Sequence, residues 1–289
     1  MNKIIRAFAL NESIRILAVD TTDLISRSQK MHQTLATSTA AFGRTLTIAS
    51  LMGSLIKDEK EKLRIEIRGD GPLEYIIVDA YANGNVRGLV GNPNIVMVNE
   101  NNGKLDVGGA VGSGYLKVIK DIEGREPFVS TVPLQTGEIA EDFVYYFAQS
   151  EQIPSALTVG VLVNEDMSVK SAGAILFQVL PGASSEDIDR LEEKLSTLAP
   201  ISELLTKQSI ESILENLFED LEVLEISQVD YRCSCHRDQM LGALQTLSTD
   251  DLQELIEKDN GATLECHYCH AQFPFSADEL QELIDEKNK

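Results

Sequence analysis

Two pairs of cysteines constrain this chain more than any other feature. Cys233 and Cys235 stand one residue apart, Cys266 and Cys269 two apart, and the 289 residues hold no other cysteine. Two close pairs on one stretch, each carried by a tight turn, supply the four thiolates that a tetrahedral Zn²⁺ site needs. The Cys-x-x-Cys half is the common zinc knuckle, whereas the Cys-x-Cys half is rarer and more informative. The surrounding module, residues 230–289, is small enough that an apolar core alone is marginal. Structural zinc contributes on the order of 10–16 kcal/mol of apparent binding energy at neutral pH, so the metal is expected to decide whether this module folds.

The same sulfurs permit other chemistry. Zinc-bound thiolates are the ionised, oxidisable form of cysteine. Cys233 and Cys235 are too close in the chain for comfortable disulfide geometry, so a bridge within the first pair would be strained and easily reversed, which suits a sensor. A permanent structural zinc site fits the spacing as well, because most closed four-thiolate sites are structural. Cys266 to His270 also matches the Cys-x-x-Cys-His haem attachment pattern, which leaves the first pair unexplained. A dithiol oxidoreductase would want its Cys-x-x-Cys at a helix start after a strand, whereas here Phe273-Pro274-Phe275 follows the motif. His236, His267 and His270 could each replace a sulfur, although four cysteines make that unnecessary and roles beside the ligands are expected.

Charge separates the chain into two parts. From Pro181 onward the net charge is −17, whereas the earlier part carries −4 of the total −21. A zinc module inside so acidic a segment is poorly suited to gripping phosphates, which argues against nucleic acid as a partner. No apolar run approaches the ~18 residues of a membrane span, and the first residues lack the apolar core of a secretory signal. A cytoplasmic location is the expectation, where thiols stay reduced. The N-terminal part has one histidine, no cysteine and no nucleophile motif, so a non-enzymatic role is expected.

Along the chain, residues 3–20 alternate as a hairpin, and the Ala-, Ser- and Thr-rich stretch to Leu55 predicts one or two closely packed helices, with His32 as a packed or surface residue. Period-two alternation then predicts strands over Leu63–Ile67, Leu73–Ala82, Val86–Val90, Ile95–Val98, Leu105–Val107, Tyr115–Ile122 and Pro127–Val132, with Asn83-Gly84 as a hairpin turn. Gly108 to Gly114 is glycine-rich but leads into a strand pattern, so strand turns are expected there and no phosphate loop. A helix from Thr136 to about Gln149 and strands over Ala156–Asn164 and Ala172–Leu180 complete the first domain.

Residues 183–229 predict a helical linker: one helix after Ser184/Ser185, a break at Pro200, and a second helix from about Ser202. The second carries an apolar stripe, Leu204, Leu205, Ile213, Leu214, Leu217 and Phe218, opposite a row of acids. Such a stripe either stays buried against a neighbouring domain or becomes available when that neighbour lets go. Beyond it, short helices are expected over Arg237–Leu247 and Thr249–Lys258, with Asn260-Gly261 as a C-cap and a capping box at Ser276 to Glu279 opening a last helix. The fold class is therefore α+β. It comprises an antiparallel N-terminal core (1–182), a helical linker (183–229) and a small zinc-binding α/β module (230–289).

The cysteine pattern, together with Ser150-Glu151-Gln152-Ile153-Pro154-Ser155 after an aromatic helix and Gly173-Ala174 to Leu180-Pro181-Gly182-Ala183, resembles the heat shock protein 33 family along the whole chain. The resemblance implies a redox-regulated, ATP-independent holdase of the bacterial cytosol. In that family the reduced, zinc-loaded protein is inactive. Oxidation forms two disulfides, which would be Cys233–Cys235 and Cys266–Cys269 here, releases zinc, and unfolds the module and linker. The implied partners are unfolding client proteins, a second copy in an active homodimer, and an ATP-dependent foldase that receives the clients. The four cysteines carry over as ligands, while the stripe from Leu204 to Phe218 is a client-contact candidate that no family motif fixes. His236-Arg237-Asp238-Gln239 departs from the common Ser-Arg-Glu-Arg type run, which makes His236 a candidate spare ligand.

Overall fold

The structure, a computed structural model, describes residues 2–122 and 125–288 and divides into two compact units, Met1–Arg232 and Cys233–Lys289. In chain order the first unit holds β1 (Lys3–Ala9), β2 (Ile14–Asp20), α1 (Thr22–His32), α2 (Ala36–Gly53), β3 (Lys62–Gly69), β4 (Tyr75–Tyr81) and β5 (Val86–Val90). A short α3 (Val107–Val111), β6 (Gly114–Asp121), β7 (Phe128–Pro133) and α4 (Ala140–Tyr146) follow, and α4 widens into a π turn at Phe147–Glu151. Then come β8 (Ser155–Val163), β9 (Val169–Val179), α5 (Ser185–Ser196), α6 (Ile201–Leu204), α7 (Ile210–Leu217) and β10 (Glu222–Gln228).

The strands form two five-stranded sheets, ordered β10-β1-β2-β9-β8 and β5-β4-β3-β6-β7. Every pairing between these strands is antiparallel, as the α+β reading requires. Helix α2 lies in the core the sheets share: all its residues except Arg44 are buried, and Phe42, Leu46 and Leu51 pack with Leu17, Val19, Ile65 and Val78. A helix buried all round has no polar face, so its hydroxyls need internal partners. Thr45 and Thr47 donate to the carbonyls of Ala41 and Gly43, and Ser50 donates to Gly84 O at 2.7 Å.

The opposite face of the first sheet carries a second core. Ile5, Ile14, Ile16, Ile175 and Phe177 are covered by Leu191, Ile201, Ile210, Ile213, Leu214 and Phe218 of the segment after Pro181. This segment is less uniformly helical than its sequence predicts. The second helix breaks between Leu204 and Ile210, and Glu222–Gln228 is a strand on the edge of the first sheet, paired with β1.

Two further expectations are corrected. Ile95–Val98 and Leu105–Val107 do not form a ladder; a single bridge joins Val98 to Leu105. The backbone donors of this loop find side chains of α2 instead, Ile95 N bonding Ser38 Oγ and Met97 N bonding Thr37 Oγ1. The first part of the glycine-rich run is α3, opened by the Asp106 carboxylate accepting from Gly109 N; only its end turns into β6.

The second unit comprises α8 (Arg237–Leu244), α9 (Thr249–Asp259), a hairpin of β11 (Gly261–Glu265) and β12 (Gln272–Ser276), and α10 (Ala277–Lys287). Capping boxes at Ser248 and Ser276 start α9 and α10, and Asn260 ends α9 in the left-handed region. Its apolar core is small: among the described residues, Leu244, Leu252, Phe275, Leu280, Leu283 and Ile284 form its buried cluster. Among the described residues no helix is long and apolar enough to cross a membrane.

Candidate metal centre

The hairpin of the second unit explains how the later pair is aimed. Glu265 and Gln272 are the last paired residues of β11 and β12, so Cys266 and Cys269 lie in the turn between them. Cys269 N and His270 N both bond Cys266 O, and His270 closes the turn in the left-handed region. The earlier pair runs into α8, whose N-cap is His236, with Nδ1 accepting from Gln239 N at 3.3 Å. Arg237 then ties the flanks together: its guanidinium lies 4.2 Å from the Phe275 ring centre and donates to Pro274 O and Glu279.

The four Sγ atoms all lie within 4.8 Å of one another, drawn from segments more than thirty residues apart. Two of these separations cross between the pairs, with Cys233 to Cys266 at 3.7 Å and Cys235 to Cys269 at 3.3 Å. A tetrahedron with metal–sulfur bonds of ~2.3 Å has edges of about 3.8 Å, so the cluster has the dimensions of a four-thiolate metal site. These separations also exceed a disulfide bond, and no bridge joins the cysteines. The four cysteines can therefore hold a metal ion.

Electrostatics point the same way. Burial raises the Cys233 thiol, but the Cys235 N–H and hydrogen bonds from the other three sulfurs outweigh it and hold Cys233 below the ordinary thiol value. Burial pushes Cys235 and Cys269 upward, and Cys235 is held up further by its sulfur neighbours. Of these three, the Cys233 thiolate is favoured and those of Cys235 and Cys269 are resisted, as crowded and partly buried sulfurs require. Cys266 is buried and the other three cysteines are partly accessible.

None of the candidate spare ligands enters this group, which consists of the four sulfurs alone among the described residues. His236 serves as a helix cap and His270 pairs with Glu265. The apolar stripe lies elsewhere, in the first unit. Ile213, Leu214 and Phe218 are buried on the first sheet, where Phe218 packs at 6.1 Å from Phe177, and Leu204, Leu205 and Leu217 are half-buried around them.

Tyr231 was not singled out from the sequence. It is buried in the first unit two residues before Cys233, and its hydroxyl donates to Gly88 O at 2.8 Å. Val86 N bonds Asp230 O and Arg232 N bonds Val86 O, so the chain leading into the cysteines is pinned along β5. The available signal was local: Val229 and Tyr231 alternate with charged residues as a short strand does.

A family model described as Hsp33 protein matches residues 2–276 of the chain. The chain belongs to the Hsp33 family. It is 40% identical over 288 residues to the 33 kDa chaperonin of Clostridium botulinum strain Langeland, covering 98% of this chain and 97% of that one. It is 41% identical to the 33 kDa chaperonins of Clostridium beijerinckii and Bacillus cytotoxicus, over 288 and 286 residues, with 98% of both chains covered in each case. The crystal structure of the 33 kDa chaperonin (heat shock protein 33 homolog) from Thermotoga maritima superposes with a TM-score of 0.92 at 33% identity, covering 99% of each chain. This Hsp33 chain and the Thermotoga maritima protein therefore share one fold over 99% of each chain.

Proposed function

We propose that this Hsp33 chain is an ATP-independent holdase chaperone gated by the redox state of Cys233, Cys235, Cys266 and Cys269. Family membership supports the chaperone function itself. The observation that carries the gate is the cluster of four sulfurs in a unit whose own apolar core is only six buried side chains. Zinc is the metal that suits this donor set, and when bound it supplies the charge that lets four thiolates coexist together with much of the energy that folds the unit. Three partly accessible cysteines give an oxidant a way in.

With peroxide as oxidant, each pair of thiolates gives up two electrons and forms one S–S bond, while one peroxide takes up two protons and leaves as two waters. The bridges would be Cys233–Cys235 and Cys266–Cys269. Without four thiolates the second unit loses what its core cannot supply, and the segment from about 183 to 229 detaches after it. Detachment exposes two apolar surfaces at once: the stripe of Leu204, Leu205, Ile213, Leu214, Leu217 and Phe218, and the sheet face of Ile14, Ile16 and Phe177 that it covers. Unfolding polypeptides bind there, the active form pairs with a second copy, and clients pass to an ATP-dependent foldase in the cytoplasm.

The test treats the protein with peroxide at elevated temperature and follows zinc with a chromogenic chelator alongside light scattering of a denatured client. Release of about one zinc per chain should accompany the onset of client protection. Equal protection before and after oxidation, or zinc that stays bound throughout, removes the gate.

A further inference from the structure

A cleft opens between the two sheets of the first unit, at the C-terminal end of α2, with a volume of about 420 Å³. That is within the range of about 300–1,000 Å³ typical of small-molecule sites. One wall is apolar, formed by Leu55, Ile56, Phe147 and Ile153. A second cleft continues it past Arg15 and Ile56 toward Arg6 and Leu224.

Arg15 is the unusual group. It lies on β2 facing the interior end of the cleft, and its Nε and Nη2 both donate to one neutral acceptor, Gln178 Oε1, at 3.0 and 2.6 Å. Among the described residues no carboxylate bonds it. Of the three acids lining the cleft, Glu151 takes Lys120 and the Tyr146 hydroxyl and Asp121 takes Lys62, so Glu61 stands against the two remaining cations, Arg15 and Lys57. The nearest charge of consequence is another cation, Arg6, diagonal to Arg15 across the β1–β2 ladder and itself paired with Glu225. Arg6 Nε is buried with no partner. Burial first, and Arg6 second, pull the Arg15 pKa down from its ordinary value, so the charge is held there at a cost. Half-buried cations normally have an anion beside them.

We propose that this cleft binds a small amphipathic carboxylate, with its head group on the free edge of the Arg15 guanidinium and its apolar body along Leu55, Ile56, Phe147 and Ile153. The guanidinium has five N–H donors and Gln178 uses two, which leaves a fork that matches a planar carboxylate. One surplus positive charge calls for a monoanion, and the apolar wall calls for a ligand with a hydrocarbon body, which inorganic phosphate lacks. Lys57 lines both clefts as well, but Glu61 in the first and Glu59 in the second offset it, which leaves Arg15 as the surplus charge.

Titration calorimetry on the reduced, zinc-loaded full chain tests this with three probes: octanoate, octan-1-ol and inorganic phosphate. Octanoate should bind one per chain, at least about tenfold more tightly than either of the others, and Arg15→Met should weaken it by about tenfold or more. Arg15→Lys should recover part of the loss. Ile56→Asp, which leaves Arg15 in place but sets a carboxylate in the cleft wall, should abolish octanoate binding and covers the case of an unstable Arg15→Met. The proposal is overturned by undetectable octanoate binding, by octan-1-ol or phosphate binding as tightly as octanoate, or by octanoate binding that survives both substitutions.

Discussion

His32 Nε2 lies 3.0 Å from the Tyr231 hydroxyl, joining α1 to the last residues of the first unit. That hydroxyl also donates to Gly88 O and accepts from Gly88 N at 3.2 Å. One phenol thus satisfies three buried groups on two elements. Tyr231→Phe removes these three bonds without changing shape, and the cost of each buried group left unsatisfied is ~1–3 kcal/mol, softened where neighbours relax. The expected result is a loss of about 2 kcal/mol in denaturant unfolding of the first unit, with faster amide exchange at Val86 and Arg232. Wild-type exchange at both amides would mean that the phenol does not pin this segment.

Asp79 predicts a pH dependence. Its side chain is 4% exposed and accepts from Arg64 and Arg87, at 2.7 and 3.0 Å respectively. Burial alone would raise its pKa, but the hydrogen bonds and charges of the two arginines win and hold it below the usual carboxylate value. A depressed carboxylate adds stability that is complete above its unfolded pKa of ~3.9 and is lost as the pH falls through the folded value. Asp79→Asn should therefore destabilise the first unit at neutral pH by roughly 2–4 kcal/mol, discounted because Arg64 remains 42% exposed. The gap between variant and wild type should narrow as acid is added below about pH 4. A gap that stays constant from pH 7 to pH 3 would contradict the assignment.

Metal removal should divide the chain at the boundary between its units. Chelation under reducing conditions should cost residues 233–289 their protease resistance and helical circular dichroism, because the buried core there amounts to six side chains. The first unit has its own large core and should survive as a resistant fragment ending near Arg232. Cys235→Ser should have the same outcome without a chelator. A second unit that keeps both signals after metal loss would be held by its core, Arg237 and the caps alone.

What could be read from the sequence follows the range of the forces involved. Period-two alternation marked the strands of both sheets apart from β10, and Ser276 with Glu279 announced α10, because each signal lies within a few residues of its effect. The cysteine spacing likewise announced the cluster of four sulfurs. Glu222–Gln228 is a strand only because β1, more than two hundred residues earlier, offers it a ladder, and no local pattern records that partner. Ile95–Val98 has a strand's composition, yet hydroxyls of α2 take the donors that a neighbouring strand would have used. The hairpin that aims Cys266 and Cys269 was hidden for a simpler reason: its two strands have five residues each, and the second contains Pro274.

Two glycines determine how closely the stripe segment sits on the first sheet. Gly160 of β8 and Gly173 of β9 are cross-strand partners, and α6 rests over them. A Cβ on Gly160 would stand 2.6 Å from Ser202 Oγ and 2.9 Å from Ser202 Cβ, so only a flat backbone admits the helix. Gly173 is less useful as a probe, because its Cβ would also meet Val19 O at 2.6 Å and strain the sheet itself. Gly160→Ala pushes on α6 alone, and relief by lifting the helix should cost ~1–3 kcal/mol of its docking. Lifting α6 loosens Leu204 and Leu205 without touching any cysteine. If the covered apolar surface is what clients bind, the reduced, zinc-loaded Gly160→Ala protein should suppress client aggregation measurably before any oxidant is added, with faster amide exchange over residues 201–205. Faster exchange without client protection would separate the stripe from the chaperone surface.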